Sequence, residues 1–463
     1  MDLYGYAARS VLQPMARWRD GRRHFTRYYH EFARTQYLPP EKLRELQLRR
    51  LRALLRHAYD HTAYYRRQFA EAGITPDAIR SLEDLCKLPP LSKQGVRAHL
   101  PELLADTYEL AHLRRDQTGG STGIPLIFYR DCARGDARLA LGFRHDGWTG
   151  WRPGERTAYI WGAPRDFGRS LRWRLVSRFV HRRATLDAGW LDEQGMEHFA
   201  RELGKWRPAL IVAYSGSAHL FAKFLLQRGL QVPPARGVVC TAELLYPHQR
   251  REIEQAMGAR VFERYGARET GLLASECDRH RGMHIASDSV YIEAEIDGRA
   301  AAPGEPGEVI VTDLLNFGMP MIRYQLGDIV VLSDRRCDCG RSLPLMEMVS
   351  GRISEHLVTP SGSMISGAYL AQVIGHRPGL AQVQFVQYER ELVHIRVVLG
   401  EEFTRADLDY VGAKFAEMAG PDLGFRFDIV PEIPRGPAGK HHLCICEVPT
   451  DLSRQDTVCA DEA

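Results

Sequence analysis

No glycine-rich turn in these 463 residues ends in Gly-Lys-Ser/Thr at the spacing a Walker phosphate loop needs, so that class of nucleotide site is excluded. Nor is there an apolar run of about 18 residues, the length a bilayer-spanning helix requires. The opening MDLYGYAARSVLQPMARW lacks the charged-then-apolar order of a secretory signal. Cysteine is sparse and odd in number, nine over the whole chain, which does not read as a disulfide framework. A reducing, cytoplasmic setting is therefore expected. Net charge is only +4, too little to call for a nucleic-acid partner, and none is expected.

What is present belongs to a globular protein: 44% apolar and 26% charged residues, over a length that exceeds one ordinary core and predicts two domains. The basic residues are unevenly spread. Arg17, Arg19, Arg22, Arg23, Arg27 and Arg34 load the first segment, and Lys42, Arg44, Arg49, Arg50, Arg52 and Arg56 continue along a stretch whose Leu43, Leu46, Leu51, Leu54 and Leu55 fall near helical spacing. A solvated helix face is the plain reading; peripheral docking on an anionic membrane surface or a protein partner is the other. Tyr28, Tyr29, Tyr59, Tyr64 and Tyr65 share that periodicity and read as helix-packing residues.

The stretch from Gln117 to Asp131, QTGGSTGIPLIFYRD, sets Thr118, Gly119, Gly120, Ser121, Thr122 and Gly123 in succession before Pro125. Glycines let successive N–H groups turn toward one point and hydroxyls add donors, a combination suited to a phosphate. Just ahead, Pro89-Pro90-Leu91-Ser92-Lys93 predicts a turn with a helix cap at Ser92. From Thr157 onward, short apolar runs alternate with amphipathic stretches, which predicts an α/β layer with largely parallel strands. Ligands collect at the carboxyl ends of such strands. Ala242-Glu243 after Val238-Val239-Cys240, and Tyr265-Gly266 after Val261-Phe262, occupy strand exits of that kind.

After Glu293 the pattern turns to strands, and a boundary is expected near Val349 to Gly351. Beyond it a small α+β unit is predicted: strands over Gln382 to Tyr388, Leu392 to Leu399 and Phe425 to Val430, a helix over Thr404 to Met418, and then the segment holding Lys440. The expected division is a basic helical segment over 1–75, a large domain over 76–349 and a small one over 350–463.

Taken in order, the Gln117–Asp131 stretch, Tyr265-Gly266-Ala267-Arg268-Glu269, Tyr324-Gln325-Leu326-Gly327-Asp328, Gly351-Arg352-Ile353-Ser354-Glu355 and Pro434-Arg435-Gly436-Pro437-Ala438-Gly439-Lys440 resemble the adenylate-forming (AMP-binding) superfamily. The likeness is closer to its phenylacetate–CoA ligase-like branch, which includes capsule polysaccharide biosynthesis ligases. It implies a large α/β domain, with mixed layers and a strand-rich part, followed by a small mobile α+β domain. It further implies ATP/AMP and Mg²⁺ as cofactors and an aryl or arylacetic acid as the default substrate. The partners are then that acid and an acyl acceptor, coenzyme A by default, with an amine or hydroxyl as the alternative. Residue by residue, the resemblance places Thr118, Gly119, Gly120, Ser121, Thr122 and Gly123 over the phosphates, with Thr122 in the catalytic set. Tyr265 and Gly266 stand at the adenine with Glu243 among the nucleotide contacts, Glu269 at Mg²⁺, Asp328 at the ribose diol, and Arg352 at the ribose or a phosphate. Lys440 becomes the catalytic lysine, and Glu355 stands where relatives commonly carry a hinge aspartate. Leu126 departs from the pattern, since many relatives carry lysine there. A rival of another class, a zinc-stabilised module docking nucleic acid or membrane through its arginines, leaves Glu269, Asp328 and Lys440 without a task.

A second constellation joins Cys277 and His284, in ECDRHRGMHI, with Cys337 and Cys339, in CDCGRSLP. Three thiolates and an imidazole make a Cys₃His set, the usual composition of a closed structural zinc site, with His280 as a substitute for His284. His441, His442, Cys444 and Cys446 read instead as a strand with its thiols packed on one face. His145, Trp148, Trp151 and Trp161 are candidates for the acyl pocket.

Overall fold

The computed structural model describes residues 2–118, 126–161, 171–187, 193–352, 356–360, 364–366, 370, 377, 379–420, 422–434 and 443–448. The chain divides into two compact units. The first comprises Met1–Glu293, Val309–Leu326 and Leu332–Glu347; the second comprises Ala294–Glu308, Gly327–Val331 and Met348–Ala463.

In the first unit, five parallel strands stand in the order Arg183–Asp187, Thr157–Trp161, Leu210–Tyr214, Gly237–Thr241, Val261–Ala267. Their sequences explain the placement. LIVAY and GVVCT are buried at all five positions, as strands covered on both faces must be. Helices Glu193–Trp206, Ser215–Arg228 and Pro247–Met257 supply the apolar cover through residues such as Phe199, Phe221 and Ile253. The second of these helices ends at Gly229, whose φ of 62° accommodates the left-handed cap. Beyond Val261–Ala267 the sheet turns antiparallel with Gly271–Glu276 and Met283–Ile285, and Leu345 pairs with His284. The strand Arg183–Asp187 is not among the sequence expectations; its five residues, RATLD, carry no apolar run to announce it.

The N-terminal helices pack on the same unit. In Pro40–His61 the leucines at 43, 46, 51, 54 and 55 are all buried, as their spacing predicts. Many of the arginines are engaged within the unit: Arg50 pairs with Glu31, Arg56 with Asp77 at 2.5 Å and Arg22 with Asp136 at 3.3 Å. Helix Phe25–Thr35 lies on helix Cys132–Trp148, where the Phe25 and Phe143 rings meet edge to face at 5.2 Å.

In the second unit, Leu380–Glu389 and Leu392–Leu399 form an antiparallel pair, flanked in parallel by Cys444–Cys446 and Gly424–Ile429. Helix Arg405–Ala419 covers this sheet with Leu408, Val411 and Phe415. Cys444 is buried in the same apolar cluster, in keeping with a packed thiol. His441 and His442 lie outside the described residues.

Candidate active site

Strands Arg114–Gln117 and Ile127–Arg130 form a hairpin whose last pair is Gln117 with Ile127. Thr118 closes it from both sides: its N–H donates to the Leu126 carbonyl at 2.9 Å, and its Oγ1 accepts the Leu126 N–H at 2.9 Å. Leu126 is 1% exposed, an apolar pin at the end of the hairpin. Gly119, Gly120, Ser121, Thr122 and Gly123, which span the loop itself, lie outside the described residues.

The Glu269 turn follows Val261–Ala267. Tyr265 is buried, and the pairing with Gly271–Glu276 slips between Tyr265 and Gly266. A Cβ on Gly266 would stand 2.8 Å from the Gly271 carbonyl oxygen, so only glycine lets the two strands approach there. Helix Cys132–Trp148 then grips the turn on either side of Glu269. Arg138 donates to the Arg268 carbonyl at 2.7 Å, and Arg134 donates to the Thr270 carbonyl. Arg134 is itself buried against Asp313, Nε to Oδ2 at 2.6 Å. Burial, together with Arg130, Arg134 and Arg268 around it, pulls the Arg138 guanidinium down to about 9. Positive charge is thus crowded beside the strands Arg114–Gln117 and Ile127–Arg130.

Two further contacts join the motifs. Asp116, on the hairpin, lies 3.6 Å from Arg268 and 3.0 Å from Arg130. Tyr324, fully buried, donates its hydroxyl to Glu269 Oε1 at 2.9 Å. Tyr324 is fixed in turn by the Leu91 backbone, which exchanges hydrogen bonds with Arg323 and Gln325 at 2.8 and 3.0 Å. Ser92 caps the adjoining helix as its sequence predicts, accepting the Gly95 N–H at 3.0 Å, and Lys93 reaches the Leu326 carbonyl at 2.9 Å. Arg323, with φ at 50°, is held in that unusual conformation by the Leu88 carbonyl at 2.6 Å and by Glu293. Arg134 and Arg138 were not singled out by sequence reasoning, and Tyr324 entered it only as the first residue of its motif, with no role. Their partners lie 55 to 179 positions away, beyond any local spacing rule.

Glu243 has a structural engagement. Its Oε2 accepts the Gly216 N–H at 2.8 Å and its carbonyl accepts the Ser215 hydroxyl at 3.0 Å, capping the start of helix Ser215–Arg228. Ala242 before it adopts φ of 70°, a conformation alanine rarely takes. At the same carboxyl edge of the parallel strands, the rings of Trp161 and Tyr214 lie 4.4 Å apart. The other acyl-pocket candidates sit elsewhere. His145 and Trp148 are buried under the thiol cluster, and Trp151 is buried in a cluster with Val239 and Phe262. Helical and turn geometry turns these three inward, which their spacing alone did not show.

Asp328 belongs to the second unit, half-buried in strand Tyr324–Ser333 after Gly327 at φ of 79°. Arg352 ends strand Leu345–Arg352, its side chain outside the described residues; Glu355 and Lys440 also lie outside them.

Cys277, His284, Cys337 and Cys339 converge, with their ligand atoms all within 4.8 Å of one another. The Cys277 and Cys337 sulfurs are 3.7 Å apart, and Cys339 Sγ stands 3.3 Å from His284 Nε2. His284 Nδ1 faces the Leu343 carbonyl at 3.0 Å; donating there leaves the Nε2 lone pair toward the thiols. The N–H groups of Arg279 and Arg341 donate to Cys277 and Cys339, each at 3.4 Å, an arrangement that favours thiolates. Burial, with Cys339 and Cys337 close by, pushes the Cys277 thiol up to about 12, and burial raises Cys337 too. At Cys339 burial acts the same way, but hydrogen bonds from Arg341 outweigh it and pull the thiol down. A tetrahedron with sulfur ligands at about 2.3 Å spaces sulfurs about 3.8 Å apart, close to the pair seen. His280 is turned away, toward Glu276 at 3.3 Å, and is not part of the set.

Comparison with known proteins agrees with this architecture. Residues 357–447 match the family described as the CapK C-terminal domain. Phenylacetate-coenzyme A ligase of Thermus thermophilus is 27% identical over 333 residues, 69% of this chain and 73% of that protein. Protein CapK of Staphylococcus aureus is 20% identical over 437 residues, 91% of this chain and 93% of that one. Among solved structures, 2-hydroxyisobutyryl-CoA ligase in its postadenylation state with R3-HIB-AMP superposes with a TM-score of 0.72 at 19% identity, over 89% of this chain and 91% of that chain. Its curated relatives are thus phenylacetate-coenzyme A ligases and CapK, and its fold is similar to that of 2-hydroxyisobutyryl-CoA ligase, in keeping with the resemblance its motifs carry.

Proposed function

We propose that this protein activates a carboxylic acid with ATP and passes the acyl group to coenzyme A. In the first step a carboxylate oxygen attacks the α-phosphorus of ATP, forming acyl-AMP and expelling pyrophosphate. In the second, the thiol attacks the acyl carbon, giving a thioester and AMP. The observation that carries this reading is the convergence, in one unit, of the loop-bearing hairpin, the Glu269 turn and Tyr324 through Asp116–Arg268 and Tyr324–Glu269 contacts. Ser121 and Thr122 are assigned to the phosphates, and Tyr265 and Gly266 to the adenine. Glu269 would hold Mg²⁺, an ion content with one carboxylate plus phosphate oxygens. Asp328 and Arg352 are assigned to the ribose side, and Lys440 to the charge that develops where acid meets phosphorus. The boundary expected at 349/350 defines a lid that delivers Lys440 and withdraws it, with Glu355 at the hinge.

An aryl or arylacetic acid is the proposed substrate class. The Trp161 and Tyr214 rings, tilted at 41° to each other, put aromatic surface at the carboxyl edge of the strands, and relatives named phenylacetate–CoA ligases support the same class. Transfer to an amine or sugar hydroxyl is the alternative acceptor reading, favoured by the match of 357–447 to the CapK domain. The thiol and imidazole set is assigned to a structural Zn²⁺, since four protein ligands leave no open position.

Trapping with hydroxylamine tests the activation step. Incubated with Mg·ATP and a panel of carboxylic acids, the protein is expected to yield hydroxamate with aryl or arylacetic acids, and Glu269→Gln to lose at least ~10²-fold of that yield. No hydroxamate from any acid would contradict the proposal, and a preference for short aliphatic acids would overturn the substrate class alone.

A further inference from the structure

The exposed large apolar side chains are unevenly placed. Leu3, Val11, Met15 and Trp18 lie on one N-terminal helical segment, with Trp18 80% and Leu3 73% exposed; Leu175 and Phe179 lie on a second. The first segment runs through Leu3–Ala7, the π-helical Ala8–Leu12 and Gln13–Arg19. Positions 3, 7, 11, 15 and 18 recur every four or three residues, so the apolar side chains among them share one stripe, while Ala8, Gln13 and Ala16 are buried on the other side. The second segment lies alongside: Tyr4 donates to the Phe179 carbonyl at 3.0 Å and Gln13 to the Val180 carbonyl at 3.3 Å.

Charge is concentrated at the same place. Residues 2–24 hold five arginines and two aspartates, and residues 171–183 hold five arginines and no acidic residue. Two of these arginines pair with acids from elsewhere, Arg22 with Asp136 and Arg178 with Glu202, which leaves a local excess of six positive charges, still larger than the +4 of the whole chain. An apolar stripe of Trp, Met, Leu and Phe collared by guanidiniums suits the boundary between headgroups and acyl chains of an anionic bilayer. Arginine adds bidentate hydrogen bonding to lipid phosphates. A second copy of this chain fits worse, because a symmetric contact would set one positive patch against another. Nucleic acid would satisfy the charge and leave the apolar stripe in water.

We infer that this face is a peripheral docking surface for an anionic lipid bilayer, with Leu3, Val11, Met15, Trp18 and Phe179 entering the interface and the flanking arginines meeting lipid phosphates. No helix among the described residues is long and apolar enough to cross a membrane, so the contact is one that lies on the surface. The inference stands apart from the adenylation proposal and survives its failure.

Flotation with vesicles decides it. The full chain is expected to float with vesicles of equal parts phosphatidylcholine and phosphatidylglycerol, to stay behind with phosphatidylcholine alone, and to be released by high salt. The double variant Met15→Ser/Trp18→Ser should lose at least ~10-fold in vesicle affinity with unchanged circular dichroism, because both side chains are exposed. Wild-type binding that the double variant retains in full would overturn the proposal, as would failure to bind either vesicle. A solution dimer that the same substitutions dissociate, with no vesicle binding, would show instead that the face joins two copies.

Discussion

Glu269 illustrates how far the position of an acidic side chain is set by residues distant in sequence. Arg138 and Arg134 clamp the carbonyls on either side, and the Tyr324 hydroxyl orients the carboxylate itself. A hydrogen bond to a charged group contributes about 1.5–3 kcal/mol, and a loss of 1.4 kcal/mol is tenfold. Tyr324→Phe keeps the ring in its fully buried seat and removes only that bond. It is expected to lower the rate of acyl-adenylate formation ~10-fold or more, with a small change in melting temperature. An unchanged rate would mean that the hydroxyl does not orient Glu269 for the reaction. Residue-scale chemistry of this kind was only half legible. Glu269 and Gly266 stood out because the motif Tyr265-Gly266-Ala267-Arg268-Glu269 is contiguous and carries the family resemblance. The positioning residues were not legible, since Arg138 and Arg268 are 130 positions apart and meet only through the fold.

Elements were read best where burial imposes a period. The leucine stripe of Pro40–His61, the cap at Ser92 and the alternation of apolar strand with amphipathic helix from Thr157 onward all reappear in the structure. Strand Tyr324–Ser333 opens on YQLGD, where Tyr324 and Leu326 are buried among polar neighbours that disguise the period. Aromatic residues misled where one sequence window serves two purposes. Trp148 reads as a ligand-facing ring, yet it packs against His284, and its indole N–H donates to Gln36 at 2.9 Å. That packing ties an N-terminal helix to the turn carrying Cys337 and Cys339, where the Gln36 carbonyl also accepts the Ser342 N–H at 2.8 Å. A metal held there would stabilise several elements at once. Protein purified without chelator is expected to carry close to one zinc per chain and to melt at lower temperature once the metal is stripped. Less than about 0.2 zinc per chain, or a melting temperature indifferent to removal, would contradict a structural zinc.

At the scale of the molecule, the first unit supplies the loop-bearing hairpin, the Glu269 turn and the aromatic edge, and the second unit carries Asp328 and the segment with Lys440. The proposed two-step reaction needs water excluded during the first step and an acceptor admitted for the second. Under that proposal Lys440 acts in adenylation, at the junction of carboxylate and α-phosphate, and is spared in thioester formation. Pyrophosphate exchange into ATP tests this most directly, with the acid that gives the best hydroxamate yield. Wild-type protein is expected to exchange label only when that acid is present, and Lys440→Ala to lose at least ~10²-fold of the rate while still converting supplied acyl-AMP and coenzyme A to thioester. Exchange at near wild-type rate in Lys440→Ala, or exchange that does not depend on the acid, would contradict it.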